Sequence, residues 1–166
     1  NPPDVQLLHC LANDASGGDS TLADGFALAE ALRASDPSAF HTLSTWPVPL
    51  RFHDDRDDIR HTAPILEHRD GSLHTVRFNN WIRDVDPAAA TDPAFYDAYL
   101  AWWRLVRTSA EVRHFRLSAG EVLCFDNRRM LHGRTEFQPN TGLRHLQGCY
   151  LDMDLVRSRL RMCASA

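Results

Sequence analysis

An imidazole at the end of one apolar run and a guanidinium at the start of the next are the parts of this chain best suited to chemistry. The first lies in Cys124-Phe125-Asp126-Asn127-Arg128-Arg129-Met130-Leu131-His132-Gly133-Arg134, and the second opens Arg144-His145-Leu146-Gln147-Gly148-Cys149-Tyr150. Arginine presents a planar fork that a carboxylate accepts bidentately, and histidine supplies one nitrogen of a 2-His-1-carboxylate site. Together they suit a site that holds Fe(II) and a dicarboxylate. Taken singly each has a plainer reading, since a lone histidine is usually a satisfied core or surface residue and a strand arginine a surface charge. The order of the parts is what carries information.

Glu121 to Phe125, opened by the turn formers Ser118-Ala119-Gly120, and Leu143 to Leu151 read as strands. With the loop Thr135 to Gly142 returning the chain between them, they are predicted to form an antiparallel pair. In a strand, side chains two apart share a face, so Arg144, Leu146, Gly148 and Tyr150 point one way and His145, Gln147 and Cys149 the other. Upstream, Val5 to Ala12 reads as a buried central strand, and Asn13 to Ser20 as a turn in which Gly17-Gly18 allows positive φ or a close backbone approach. Leu22 to Ser35 has helical spacing with Asp24 as a cap, ended by Asp36-Pro37, and Pro37 to Phe40 opens a second short helical turn. Val48 to Phe52 is a strand. Pro64 to Arg69 and Leu73 to Phe78 flank Asp70-Gly71 as a hairpin, which delivers Asn79-Asn80 at its end. Pro93 to Ser109 is the clearest helix, and its aromatic stripe (Phe95, Tyr99, Trp102, Trp103) reads as core packing. Val112 to Leu117 supplies a further strand and Asp154 to Met162 a last helix. Antiparallel strands with an inserted helical section suit a mainly β jelly roll with inserted helices.

A second metal half-site must be weighed, because His53-x-Asp55 has facial-triad spacing. It stands in His53-Asp54-Asp55-Arg56-Asp57-Asp58, a solvated charged loop that orients ligands poorly, so no metal is expected there.

The 166 residues, 43% of them apolar, are enough for one domain with a core, and the whole span 1–166 is taken as a single domain. A net charge of -4 without a basic run argues against nucleic acid or an anionic membrane as partner and favours a small substrate. Cys10, Cys124, Cys149 and Cys163 lie far apart, which fits a reduced, cytoplasmic setting without a disulfide framework. No apolar segment approaches the ~20 residues of a membrane span. The opening Asn1-Pro2-Pro3 reads as a chain cut in a loop, so a fragment is expected.

Phe125 to Arg134, Arg144 to Tyr150 and Ser158-Arg159-Leu160-Arg161 resemble the C-terminal half of the γ-butyrobetaine dioxygenase family. Gln6-Leu7-Leu8-His9-Cys10, Gly17-Gly18-Asp19-Ser20 with Asp24-Gly25-Phe26, and Arg77-Phe78-Asn79-Asn80 with Arg83-Asp84 match it in the same order. The trimethyllysine dioxygenases share much of the pattern. The resemblance implies a double-stranded β-helix, or jelly roll, that uses Fe(II), 2-oxoglutarate and O2, with ascorbate a candidate accessory. In the family a His-x-Asp lies just before the stretch matching Asn1 to Asp4 and completes the metal site with the residue at His132; without it the present span is expected to be inactive. Arg144 would anchor the far carboxylate of 2-oxoglutarate, with Leu8, through its backbone, and Ser20 assisting. Asn80 would lie near the substrate carboxylate and Tyr150 would meet a trimethylammonium group, which has no N–H to donate and is recognised by ring faces. The implied reaction is hydroxylation of γ-butyrobetaine to L-carnitine by a homodimer. Trimethyllysine hydroxylation and a non-catalytic jelly-roll binding module are the other readings.

Overall fold

The computed structural model describes residues 2–84 and 92–164. Twelve strands and four helices are assigned among them, and they divide into two compact units.

One unit takes residues 23–112. Its first helix, α1 (Gly25–Ser35), is capped by the Asp24 carboxylate, which accepts from Phe26 N at 2.9 Å and Ala27 N at 3.3 Å. The sequence predicts helix from Leu22, yet Leu22 belongs to a strand, because the cap chemistry of Asp24 decides where the chain turns. Asp36 ends α1 and caps α2 (Pro37–Thr45), whose Pro37 has the fixed φ that suits a first turn. α2 therefore runs on to Thr45, past the short turn Pro37 to Phe40 that the sequence predicts. Two hairpins follow: β4 (Val48–His53) with β5 (Asp58–Ala63), and β6 (Leu66–Arg69) with β7 (Ser72–Val76). In the second, Asp70 and Gly71 take φ of 52° and 77°, the left-handed pair that a two-residue hairpin turn demands. β5 is not legible in the sequence, because charged residues populate the turn and both faces near it. α3 (Pro93–Thr108) buries Phe95, Ala98, Tyr99 and Trp102, and Trp102, like Leu28, Leu43 and Leu66, is fully buried. Its stripe is core, as expected.

The other unit takes residues 2–22 and 113–166. β1 (Val5–Asn13) is the central strand of a three-stranded sheet, between β9 (Val122–Asp126) and β12 (Arg144–Leu151), antiparallel to both. The expected pairing of the last two strands is thus corrected: they do not pair with each other but flank β1 on either side. Sequence neighbourhood favoured a hairpin, whereas β1, half-buried along most of its length with only Gln6 and Cys10 inside and Leu11 exposed, supplies a partner edge to each. A second sheet orders β10 (Met130–Arg134), β3 (Ser20–Asp24) and β8 (Arg113–Phe115). A two-stranded clip joins β2 (Ser16–Gly17) to β11 (Phe137–Gln138). α4 (Met153–Ala164) closes the chain, and Asp4 Oδ2 accepts from Met153 N at 2.7 Å, tying its start to the entry of β1.

Candidate metal and cosubstrate site

The site is built on one face of β1 and its neighbours. Residues paired across antiparallel strands share a face, and the register sets Gln6 opposite Phe125 and Tyr150, Leu8 opposite Leu123 and Gly148, and Cys10 opposite Leu146. The irregularity between Cys10 and Ala12 lies on β1, so β12 keeps its period of two and carries Arg144 on the same face as Tyr150. Arg144 is half-buried, and Tyr150 is 55% exposed.

His132 comes from the other sheet, on β10, and its ring lies 4.9 Å from that of Phe125. The side chain is exposed at its outer edge, yet the protein packed around the rest of the ring desolvates the imidazole and lowers its pKa from the ordinary value, which favours the neutral form that can ligate a metal. Gly133 beside it brings β10 close to β3, since a Cβ there would stand 3.1 Å from Thr21 Oγ1. Ser20, which opens β3, is 6% exposed. Two residues before it, Gly18 O accepts from Arg144 at 3.4 Å. The stretch from Gly18 to Thr21 therefore runs from the guanidinium to the strand that carries His132.

Arg144 suits an anionic ligand. Its Nε is buried and has no hydrogen-bond partner among the described residues, and an unmet buried donor is costly unless an acceptor arrives. Burial first, then the positive charge of Arg134, pulls its pKa down. A carboxylate would relieve both. For a metal, His132 supplies one imidazole, while among the described residues no three His, Cys, Asp or Glu side chains gather into a binding group.

The other expected residues are placed as follows. Leu8 lies on the site face, its Cδ2 3.8 Å from where a Cβ on Gly148 would stand. Asn80 belongs to the other unit; it is exposed, and its Oδ1 accepts from the Tyr99 hydroxyl. Asn79 makes the turn, with its Oδ1 accepting from Trp81 N at 2.9 Å. His53, the rejected half-site, is exposed with Nδ1 3.2 Å from Asp57 O. It also lines an open pocket of about 450 Å³ that includes Arg51, Trp81 and Arg83 and none of the expected site residues.

Sequence reasoning passed over Gln6, Gly18 and Phe137. Gln6 is 4% exposed on the site face, with Oε1 unpartnered among the described residues, and was hidden inside an apolar run. Gly18 was visible only as half of a Gly-Gly turn. Phe137, over which Arg144 lies with its guanidinium carbon 5.4 Å from the ring centroid, falls in what reads as a loop.

The chain is similar to known proteins along nearly its whole length. It is 44% identical over 162 residues to the γ-butyrobetaine dioxygenase of Pseudomonas sp. (strain AK-1), a match that covers 95% of this chain and 42% of that protein. It is 33% identical over 174 residues to the human mitochondrial trimethyllysine dioxygenase, covering 97% of this chain and 39% of that one. The chain thus spans less than half the length of these curated relatives. Among solved structures, an asparagine oxygenase in complex with Fe(II), 2S,3S-3-hydroxyasparagine and succinate superposes with a TM-score of 0.71 at 23% identity, over 95% of this chain and 48% of that one, which establishes the likeness of fold. The model of the taurine catabolism dioxygenase TauD, TfdA family matches residues 1–150. With its strand order, its inserted helices and this match, the chain belongs to the taurine catabolism dioxygenase (TauD, TfdA) family.

Proposed function

We propose that the protein carrying this chain is an Fe(II)- and 2-oxoglutarate-dependent hydroxylase that converts γ-butyrobetaine to L-carnitine. The observation that carries the reading is the 44% identity to a γ-butyrobetaine dioxygenase across 95% of the chain. Residues 1–166 are read as the C-terminal portion of one catalytic domain. Bound Fe(II) and 2-oxoglutarate supply oxidative decarboxylation to succinate coupled to transfer of one oxygen atom of O2 into a C–H bond.

The chain's own residues then have distinct tasks. His132, whose pKa desolvation lowers toward the neutral form, offers a nitrogen to the metal. Arg144 holds the distal carboxylate of 2-oxoglutarate through its unpaired Nε and the adjoining NH groups, and thereby fixes the other end of that molecule in direction. Leu8 on β1, through its backbone, and Ser20 on β3 assist with 2-oxoglutarate, one from each three-stranded sheet. Tyr150 offers a ring face to the trimethylammonium group, worth about 0.5–2 kcal/mol. Asn80 donates to the substrate carboxylate, its Oδ1 being already taken by Tyr99. The active form is proposed as a homodimer working in the reduced cytoplasm, a setting that suits the free thiols of Cys10, Cys124, Cys149 and Cys163.

The test uses the full-length protein with Fe(II), 2-oxoglutarate and either γ-butyrobetaine or trimethyllysine. Succinate should form in step with L-carnitine from γ-butyrobetaine. Preference for trimethyllysine would reassign the substrate, and no succinate with either would leave a binding module. Substrate recognition is checked with the uncharged isostere in which carbon replaces nitrogen: wild type prefers the cation, and Tyr150→Leu loses much of that preference. An unchanged preference in Tyr150→Leu removes Tyr150 from the cage.

A further inference from the structure

Two residues outside the expected site, Gly18 and Phe137, meet Arg144. Gly18 has φ of 76°, and a Cβ added there would lie 2.9 Å from Arg144 Nε, 3.2 Å from Arg144 Cδ and 3.1 Å from Phe137 Cβ. Phe137 takes Arg144 over its ring at 5.4 Å and Arg134 over the same ring at 4.6 Å. Behind the turn, Arg116 donates to the carbonyls of Asn13 at 2.7 Å, Ala15 at 2.5 Å and Gly17 at 2.8 Å. Gly18 N donates to Glu136 O at 2.9 Å, and the β2–β11 pairing sets Gly17 opposite Phe137. One arginine thus holds the turn whose glycine bears on another, and the paired strand brings the aromatic ring to the same guanidinium.

A guanidinium on a long side chain has several rotamers and binds a carboxylate bidentately in few of them. Orientation therefore has to come from neighbours. We propose that Gly18 and Phe137 are positioning residues for Arg144: the bare Gly18 backbone and the Phe137 ring confine the guanidinium so that its fork is set before a dicarboxylate arrives. This rests on the reading of Arg144 as the anchor of 2-oxoglutarate. A methyl group at Gly18 has no room beside Nε and displaces the fork, and a shortened apolar side chain at position 137 removes the ring face while leaving the strand. Arg116 acts one step further back, through the turn.

The deciding measurement is calorimetric titration of 2-oxoglutarate into the anaerobic, Fe(II)-loaded full-length protein, for wild type, Gly18→Ala, Phe137→Leu, Phe137→Tyr and Arg144→Lys. Gly18→Ala and Phe137→Leu should each weaken 2-oxoglutarate about tenfold, while γ-butyrobetaine affinity stays within about twofold and Phe137→Tyr, which keeps the ring, binds as wild type. A merely structural role would instead lower both affinities and the melting temperature together, and that pattern overturns the proposal. If Gly18→Ala does not fold, half-buried Phe137→Leu with its tyrosine rescue decides alone. Should Arg144→Lys weaken 2-oxoglutarate while Phe137→Leu and Gly18→Ala bind as wild type, the anchor stands and the positioning role falls. Should Arg144→Lys itself bind as wild type, the anchor reading falls and takes this inference with it.

Discussion

At the scale of the residue, the two candidate histidines differ in surroundings more than in spacing. His53 stands in an exposed charged turn, with Nδ1 beside the Asp57 carbonyl at 3.2 Å, so any ligand role there would compete with an existing contact. His132 is exposed as well, but it sits on a strand with its ring 4.9 Å from Phe125, and desolvation lowers its pKa and so favours the neutral imidazole. A ligand must be both oriented and deprotonated. His132→Ala in the full-length protein is therefore expected to abolish iron-dependent 2-oxoglutarate turnover, while His53→Ala leaves it within about twofold of wild type. Succinate assays on the two variants decide it, and the opposite outcome transfers the metal to the charged turn.

At the scale of the element, side-chain caps set several boundaries. Asp24 ends β3 and begins α1 in one residue, meeting two of the four backbone donors that a helix start leaves open. Asp36 and Asp92 cap α2 and α3 with one such bond each, accepting from Ala39 N and Ala94 N at 2.9 Å and 2.8 Å. Loss of such a cap costs about 1 kcal/mol, within a range of about 0.5–2. Asp24→Ala should accordingly lower the unfolding free energy in urea by about 1 kcal/mol, and Asp24→Ser should recover most of it. If Asp24→Ala unfolds at the wild-type midpoint, the start of α1 is set by packing of Leu28 and Leu32 and not by its cap.

At the scale of the whole molecule, acid is the condition that the buried groups resist least well. His61 has a buried Nε2 without a hydrogen-bond partner among the described residues, and burial, with the Arg77 charge adding to it, holds the imidazole below its ordinary 6.5. Burial raises the Glu67 carboxyl, but its hydrogen bond to Arg77 and that charge outweigh the effect and leave it below its ordinary value. Both shifts are downward, so for both the unfolded chain takes up protons first as the pH falls. Each contribution is present above the unfolded pKa, 6.5 for the histidine and 4.5 for the glutamate, and is lost as the pH drops toward the folded one. The urea midpoint should therefore fall between about pH 7.5 and 5.5, and the fall should be shallower in His61→Gln. Equal slopes for wild type and variant would assign the acid sensitivity to other groups.

By itself the sequence determined what depends on near neighbours along the chain. Alternation on β12 puts Arg144 and Tyr150 on one face, the left-handed preference of Asp70-Gly71 closes a hairpin, and the aromatic stripe of α3 buries itself. These follow from strand period, turn chemistry and helix period, each set within a few residues. Tertiary structure decided what depends on residues far apart. It placed β1 between β9 and β12, where sequence proximity had paired the last two directly, because a strand joins whichever buried edge presents matching donors and acceptors. It also made strands of Ser20–Asp24, Asp58–Ala63 and Met130–Arg134, whose short or charged composition carries little pattern of its own and whose backbone groups find partners only across the fold. The surroundings of Arg144 belong to the same class. Gly18 stands 126 residues away in the chain, and only the folded backbone reveals that its missing side chain is the space in which the guanidinium lies.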